Sequence, residues 1–113
     1  MKVDLQPVEP LSQVVFVHDY FQLVFQDQAF TIYNIATCST GSGDLRQGQL
    51  GFCDALVSLI DQTARVEALA DTLLLHFSSG AVVSVPVSGP DTRGPEAWQF
   101  GQFGGPTVVG QNA

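Results

Sequence analysis

The sequence predicts an α+β protein: mainly antiparallel sheet, built from two related three-stranded β-meanders, with one helix packed on it. Residues 13–35 and residues 62–87 repeat one plan. Each has a β-like run, a short polar turn, a second run ending in Leu-x-Phe (Leu23/Phe25 and Leu75/Phe77), another turn and a third run. Apolar residues recur at period two through both segments, as on strands with one buried face. Between them, LGFCDALVSLID at 50–61 spaces Phe52, Leu56, Leu59 and Ile60 as the stripe of an amphipathic helix.

Taken in order, residues 1–12 read as an extended lead-in, because Pro7 and Pro10 rule out a helix interior. Val15 and Val17 alternate with Phe16 and His18 up to a turn at Asp19-Tyr20. Phe21, Leu23 and Phe25 then share one face, Asp27-Gln28 turns the chain, and Phe30, Ile32 and Asn34 continue the alternation. Residues 36–49, ATCSTGSGDLRQGQ, break all periodicity and read as a flexible surface loop. Asp54 near the start of the 50–61 helix suits its dipole.

Residues 62–71 admit two readings: helix by propensity, or a strand from Ala64 to Leu69 with a turn at Ala70-Asp71. The repeated plan favours the strand. Leu73, Leu75 and Phe77 form the next strand, Ser79-Gly80 the turn, and Val83 and Val85 the strand after it. Pro86 ends that strand or sets it at an edge, and SGPDTRGP at 88–95 is a rigid loop. Trp98, Phe100 and Phe103 are expected to dock on the core, with Trp98 as a plug against Phe77 and Phe100. Thr107–Val109 adds a last edge strand.

At 113 residues the chain fits one domain able to bury a core without metals or disulfides. Its charged fraction, 13%, is low, and eleven acids face only Lys2, Arg46, Arg65 and Arg93, for a net charge of −7. That balance argues against nucleic-acid binding, which needs clustered cations, and suits a basic protein partner. The N-terminus lacks the apolar run of a secretory signal, and no stretch reaches the ~18–20 apolar residues of a membrane span. The expectation is a cytoplasmic protein with no membrane partner, in which Cys38 and Cys53 are buried and reduced.

Chemistry is not signalled. GSG at 41–43 lacks the GK[ST] of a phosphate-binding loop, and no dinucleotide fingerprint is present. A metal site would draw on His18, Asp19 and His76, a thin set, so neither metal nor other cofactor is expected. Neither cysteine lies in a nucleophile motif, and no two acids are adjacent among Asp19, Asp54, Asp61 and Glu96. The chain therefore reads as a non-enzyme.

Leu75, Phe77 and Gly80, then Val83 and Val85, then Glu96-Ala97-Trp98 and Gly101 carry a family resemblance. This half of the chain resembles a small uncharacterised bacterial domain family with a Leu-x-Phe-x-x-Gly strand, a Val-x-Val strand and a Glu-Ala-Trp segment. Some of these proteins are similar to immunity proteins of polymorphic toxin systems. The resemblance implies a toxin inhibitor without catalytic residues. Joined to the acidity, it sets an expectation of partner binding through Asp19, Tyr20, Asp27, Tyr33, Glu67 and Asp71. The acids would meet a basic cleft and the two tyrosines would supply apolar anchors. The alternatives are a structural or oligomerising module, with a homodimer through its edge strands, and a small-ligand or glycan binder using the 36–49 loop.

Overall fold

A computed structural model describes residues 4–113. Ten strands and one short helix follow one another along the chain. β1 (Gln13–Phe16), β2 (Phe21–Phe25), β3 (Gln28–Ile32), β9 (Glu96–Gln102) and β10 (Thr107–Gln111) form one five-stranded sheet in that order. β5 (Gly43–Arg46), β4 (Thr37–Thr40), β8 (Val82–Pro86), β7 (Thr72–Phe77) and β6 (Ala64–Ala68) form a second. Every ladder is antiparallel. The architecture is thus mostly antiparallel β, with the helix α1 (Phe52–Val57) added.

Alternation places the core. Leu73, Leu75 and Phe77 on β7 and Val83 and Val85 on β8 are buried, while Leu74, His76, Val82 and Ser84 between them are half-buried. Cross-strand partners share this face: Leu73 lies opposite Val85 and Leu75 opposite Val83. In the first sheet, Phe30 faces Phe100 in register, their rings stacked at 4.3 Å, and Ile32 faces Trp98. The two sheets close on one shared core, where the Phe25 and Phe77 rings stack at 6.4 Å. Burying large aromatic and aliphatic side chains from both sheets supplies the main driving force for this closure.

Four details differ from the sequence reading. Residues 36–49 hold the β4–β5 hairpin, in which buried Cys38 pairs with half-buried Leu45 across small polar neighbours. The first inter-strand turn of sheet one after β2 is Gln26-Asp27, one residue earlier than Asp27-Gln28, because Phe25 pairs directly with Gln28. Phe103 points to solvent, 65% exposed, and Phe30 and Gly110 take the place of Phe77 beside Trp98. Cys53 is exposed and only Cys38 is buried, both as free thiols.

The helix is shorter than its apolar stripe. It ends at Val57, and the chain tightens into bonds from Leu59 N–H to Leu56 O and Ile60 N–H to Val57 O. Asp61 then takes a left-handed φ of 77° and bonds back to Leu11. Phe52, Leu56 and Leu59 are nonetheless all buried, so the predicted stripe faces the core. Residues 64–68 form a strand despite good helix propensity, because ladder pairing with β7 outweighs a few tenths of a kcal/mol per residue. Among the described residues, no helix is long and apolar enough to cross a membrane. Residues 1–3 of the extended lead-in lie outside the described residues.

Candidate functional site

Register brings distant residues to one end of the first sheet. Phe21 pairs with Ile32, and Ile32 with Trp98, so the β1–β2 turn, the end of β3 and the start of β9 lie side by side. The turn carries Asp19 and Tyr20, the end of β3 leads into Tyr33 and Asn34, and β9 opens with Glu96. Tyr33 and Asn34 N–H both donate to Ala97 O, at 3.0 and 3.3 Å, which prolongs the pairing past the ladder. Loop 88–95 folds over this end and completes a cleft of about 330 Å³ lined by Asp19, Tyr33, Arg93, Gly94, Pro95 and Glu96.

The cleft's shape rests on one buried amide. Asn34 is fully buried. Its Nδ2 donates to Pro86 O and to Asn112 Oδ1, each at 2.6 Å. Its Oδ1 accepts from the Arg93 backbone N–H at 2.7 Å and from Asn112 Nδ2 at 3.3 Å. Asn112 Nδ2 also donates to Gly94 O at 2.9 Å, and Asn112 N–H to Pro95 O at 2.9 Å. Two side-chain amides thus tie together β3, β8, loop 88–95 and the segment after β10. A buried polar group is tolerated when its donors and acceptors are satisfied, and here they are.

The wall is aromatic and the rim charged. The Tyr20 and Tyr33 rings lie 5.9 Å apart, inclined at 53°. Tyr33 Oη donates to Gln99 Oε1 at 3.3 Å. Burial, then the Glu96 carboxylate, then Tyr20 push the Tyr33 hydroxyl above the ordinary tyrosine value of 10.0, so it stays a neutral donor. Arg93 Nη1 donates to the Asp19 backbone carbonyl at 3.1 Å. Among the described residues, no carboxylate lies within ion-pair distance of that guanidinium. Such a surface can recognise a ligand or partner by ring contact, charge and hydrogen bonding. Its lining holds no serine, cysteine or histidine to act as nucleophile or imidazole base.

Of the six residues singled out from sequence, Asp19 and Tyr33 line the cleft, and Tyr20 packs its ring against Tyr33. The other three do not line the cleft. Asp27 sits in the Gln26-Asp27 turn at the opposite end of the sheet, lining a smaller depression with Phe25, Gln28 and Gln102. Glu67 is on β6, its Oε1 3.1 Å from His76 Nε2. Asp71 lies in the β6–β7 turn, where its carbonyl accepts from Val87 N–H at 3.0 Å. His18 lies in the β1–β2 turn of the first sheet and His76 on β7 of the second, and no group of three metal-ligating side chains occurs among the described residues.

Sequence reasoning missed Arg93, Asn34 and Asn112 as parts of a site, and weighed Glu96 only as one of four non-adjacent acids and as part of the Glu96-Ala97-Trp98 segment. Asn34 did leave a signal: it continues the inward parity of Phe30 and Ile32, where a polar side chain needs buried partners. Arg93 left none, since only the fold of loop 88–95 brings it to Asp19. No protein-family model, curated protein or solved structure matches this chain.

Proposed function

We propose that this chain is a non-catalytic protein-binding domain, an immunity-type inhibitor that neutralises a cognate bacterial toxin or effector by covering its active site. It acts in the cytoplasm, and the cleft end of the first sheet is its docking surface. The observation that carries the reading is the convergence of Asp19, Tyr33 and Glu96 on one cleft, with Tyr20 packed against Tyr33. Rigid aromatic surface beside carboxylates suits a basic, partly apolar partner, because tyrosine offers a large contact area at small entropic cost. The net charge of −7 supports fast encounter with such a partner.

We further read the scaffold as two related three-stranded meanders. The reading is supported by the neighbouring of β1, β2 and β3 in one sheet and of β6, β7 and β8 in the other. Each presents a Leu-x-Phe strand at its centre, Leu23/Phe25 and Leu75/Phe77.

The test is recovery of the tagged chain from its native cells at low and moderate salt, followed by assay of the co-purified protein's own activity. A stoichiometric basic partner that is inactive when bound and active when released is the expected result. Recovery of the chain with no such partner, or a partner whose activity is unchanged by binding, would overturn the proposal.

A further inference from the structure

Four strand edges bound the two sheets: β1 and β10 in the first, β5 and β6 in the second. An uncovered edge offers a row of unpaired N–H and C=O groups to any passing strand, so folds block their edges. Three of the four are clasped, charged or short and covered here. On β6, the Gln6 side-chain amide clasps the outward peptide groups of Val66, donating to its carbonyl at 2.8 Å and accepting from its N–H at 2.7 Å. Arg65 and Glu67 add charge beside that clasp. β1 spans only four residues, and α1 packs beside it. β5 spans four residues and carries Asp44 and Arg46.

β10 carries neither a side-chain clasp nor a charge, and its one irregularity is confined to its end at Gly110/Gln111. It spans five residues, TVVGQ, with no charge and no proline, and no strand among the described residues pairs with its outer side. Val108 packs against the core and anchors the strand, whereas Val109 is 38% exposed. From Ala97 to Ala113 the chain contains no Asp, Glu, Lys or Arg. That neutrality selects the occupant. Two chains of net charge −7 repel each other over most of their surfaces, and they meet at least cost where each is locally uncharged.

We infer that a second copy of this chain docks on β10, the two strands pairing antiparallel across a two-fold axis to join the first sheets into one continuous sheet. An antiparallel strand is complementary to its own copy under two-fold rotation, since each N–H finds the partner's C=O. The irregularity between Gly110 and Gln111 bends the strand end and confines the pairing to Thr107–Gly110. A contact of that length is small, so the dimer is weak and concentration-dependent. This inference does not rest on the proposed inhibitor function.

The experiment is sedimentation equilibrium of the full chain from micromolar to millimolar concentration at two salt levels, with hydrogen exchange at the same concentrations. The expected mass rises from 12.1 kDa toward twice that value. Higher salt strengthens the association by screening like charge, the reverse of its effect on a basic partner. Exchange slows with concentration in Thr107–Gln111 and not in the β1, β5 or β6 edges. V109K sets two like charges across the axis and weakens the dimer about tenfold. T107K, on an exposed neighbour, does the same should V109K fold poorly, and V57K on the exposed side of α1 leaves the dimer unchanged. A mass of 12.1 kDa under all conditions, or a dimer indifferent to both β10 variants, would overturn the inference.

Discussion

Asn34 is the residue on which the cleft depends most. Removing its amide leaves the Arg93 N–H and the Pro86 carbonyl without their partners and releases Asn112, which holds Gly94. An unsatisfied buried group costs about 1–3 kcal/mol, so Asn34→Ala is expected to lose about 3 kcal/mol in urea unfolding, with loop 88–95 loosened as well. Tyr33 gives a second residue-scale expectation. Its hydroxyl titrates above 10.0 because of burial first and Glu96 second. Ultraviolet titration should therefore show Tyr33 raised, and Glu96→Gln should lower it only part of the way, since the burial contribution stays. A folded-state value above the unfolded one contributes stability that is present below about pH 10 and is lost as pH climbs through the raised value. An unchanged Tyr33 titration in Glu96→Gln would show that Glu96 does not act on it.

At the scale of elements, the turns carry the clearest consequence. The β2–β3 hairpin closes through the two residues Gln26 and Asp27, with Phe25 opposite Gln28. Gln26 has a φ of 62°, and Asp27 is not in the positive-φ region. A two-residue hairpin with positive φ at its first central position favours glycine there. Gln26→Gly should therefore stabilise the protein by about 0.5–1 kcal/mol, read as a higher urea midpoint at unchanged slope. The Gln26 backbone N–H that donates to Ser12 Oγ at 3.1 Å is kept by glycine. A lower midpoint would mean that the Gln26 side chain contributes more than its backbone costs. Across β10, Gly110 has a different reason to be glycine: a Cβ there would come within 2.2 Å of the Trp98 indole, which lies over it.

For the whole molecule, charge distribution decides how it meets others. Asp19 lines the cleft, and Asp71 joins its end of the molecule through the bonds from Val87 N–H to Asp71 O and Ala113 N–H to Val87 O. Reversing both to lysine should slow association with a basic partner about tenfold at low salt, with little change in dissociation, as stopped-flow mixing would show. Asp19→Lys leaves the carbonyl that accepts from Arg93 in place, so the cleft wall should persist. An association rate indifferent to both reversals would remove electrostatic steering from the proposed function. The β10 edge lies in the uncharged segment from Ala97 to Ala113, which keeps the two modes of association separable by salt.

Legible in the sequence were the strand character of residues 13–32 and 72–86, the buried stripe of Phe52, Leu56 and Leu59, and a last strand at Thr107–Val109, which the structure extends to Gln111. These follow from local periodicity, because a repeating apolar face needs no knowledge of its partner to be recognised. Tertiary structure alone decided the rest. The β4–β5 hairpin was hidden because its inward face consists of Cys38 and Leu45 among small polar residues, and only pairing with β8 makes it a sheet. The helix stopped at Val57 because Asp61 and Gln62 bond to Leu11, some fifty positions earlier. The division into two sheets, and the meeting of Asp19, Tyr33, Arg93 and Glu96, depend on which strands become neighbours. That choice is made by long-range pairing and shared burial, whose energy resides in contacts between segments and not in any one of them.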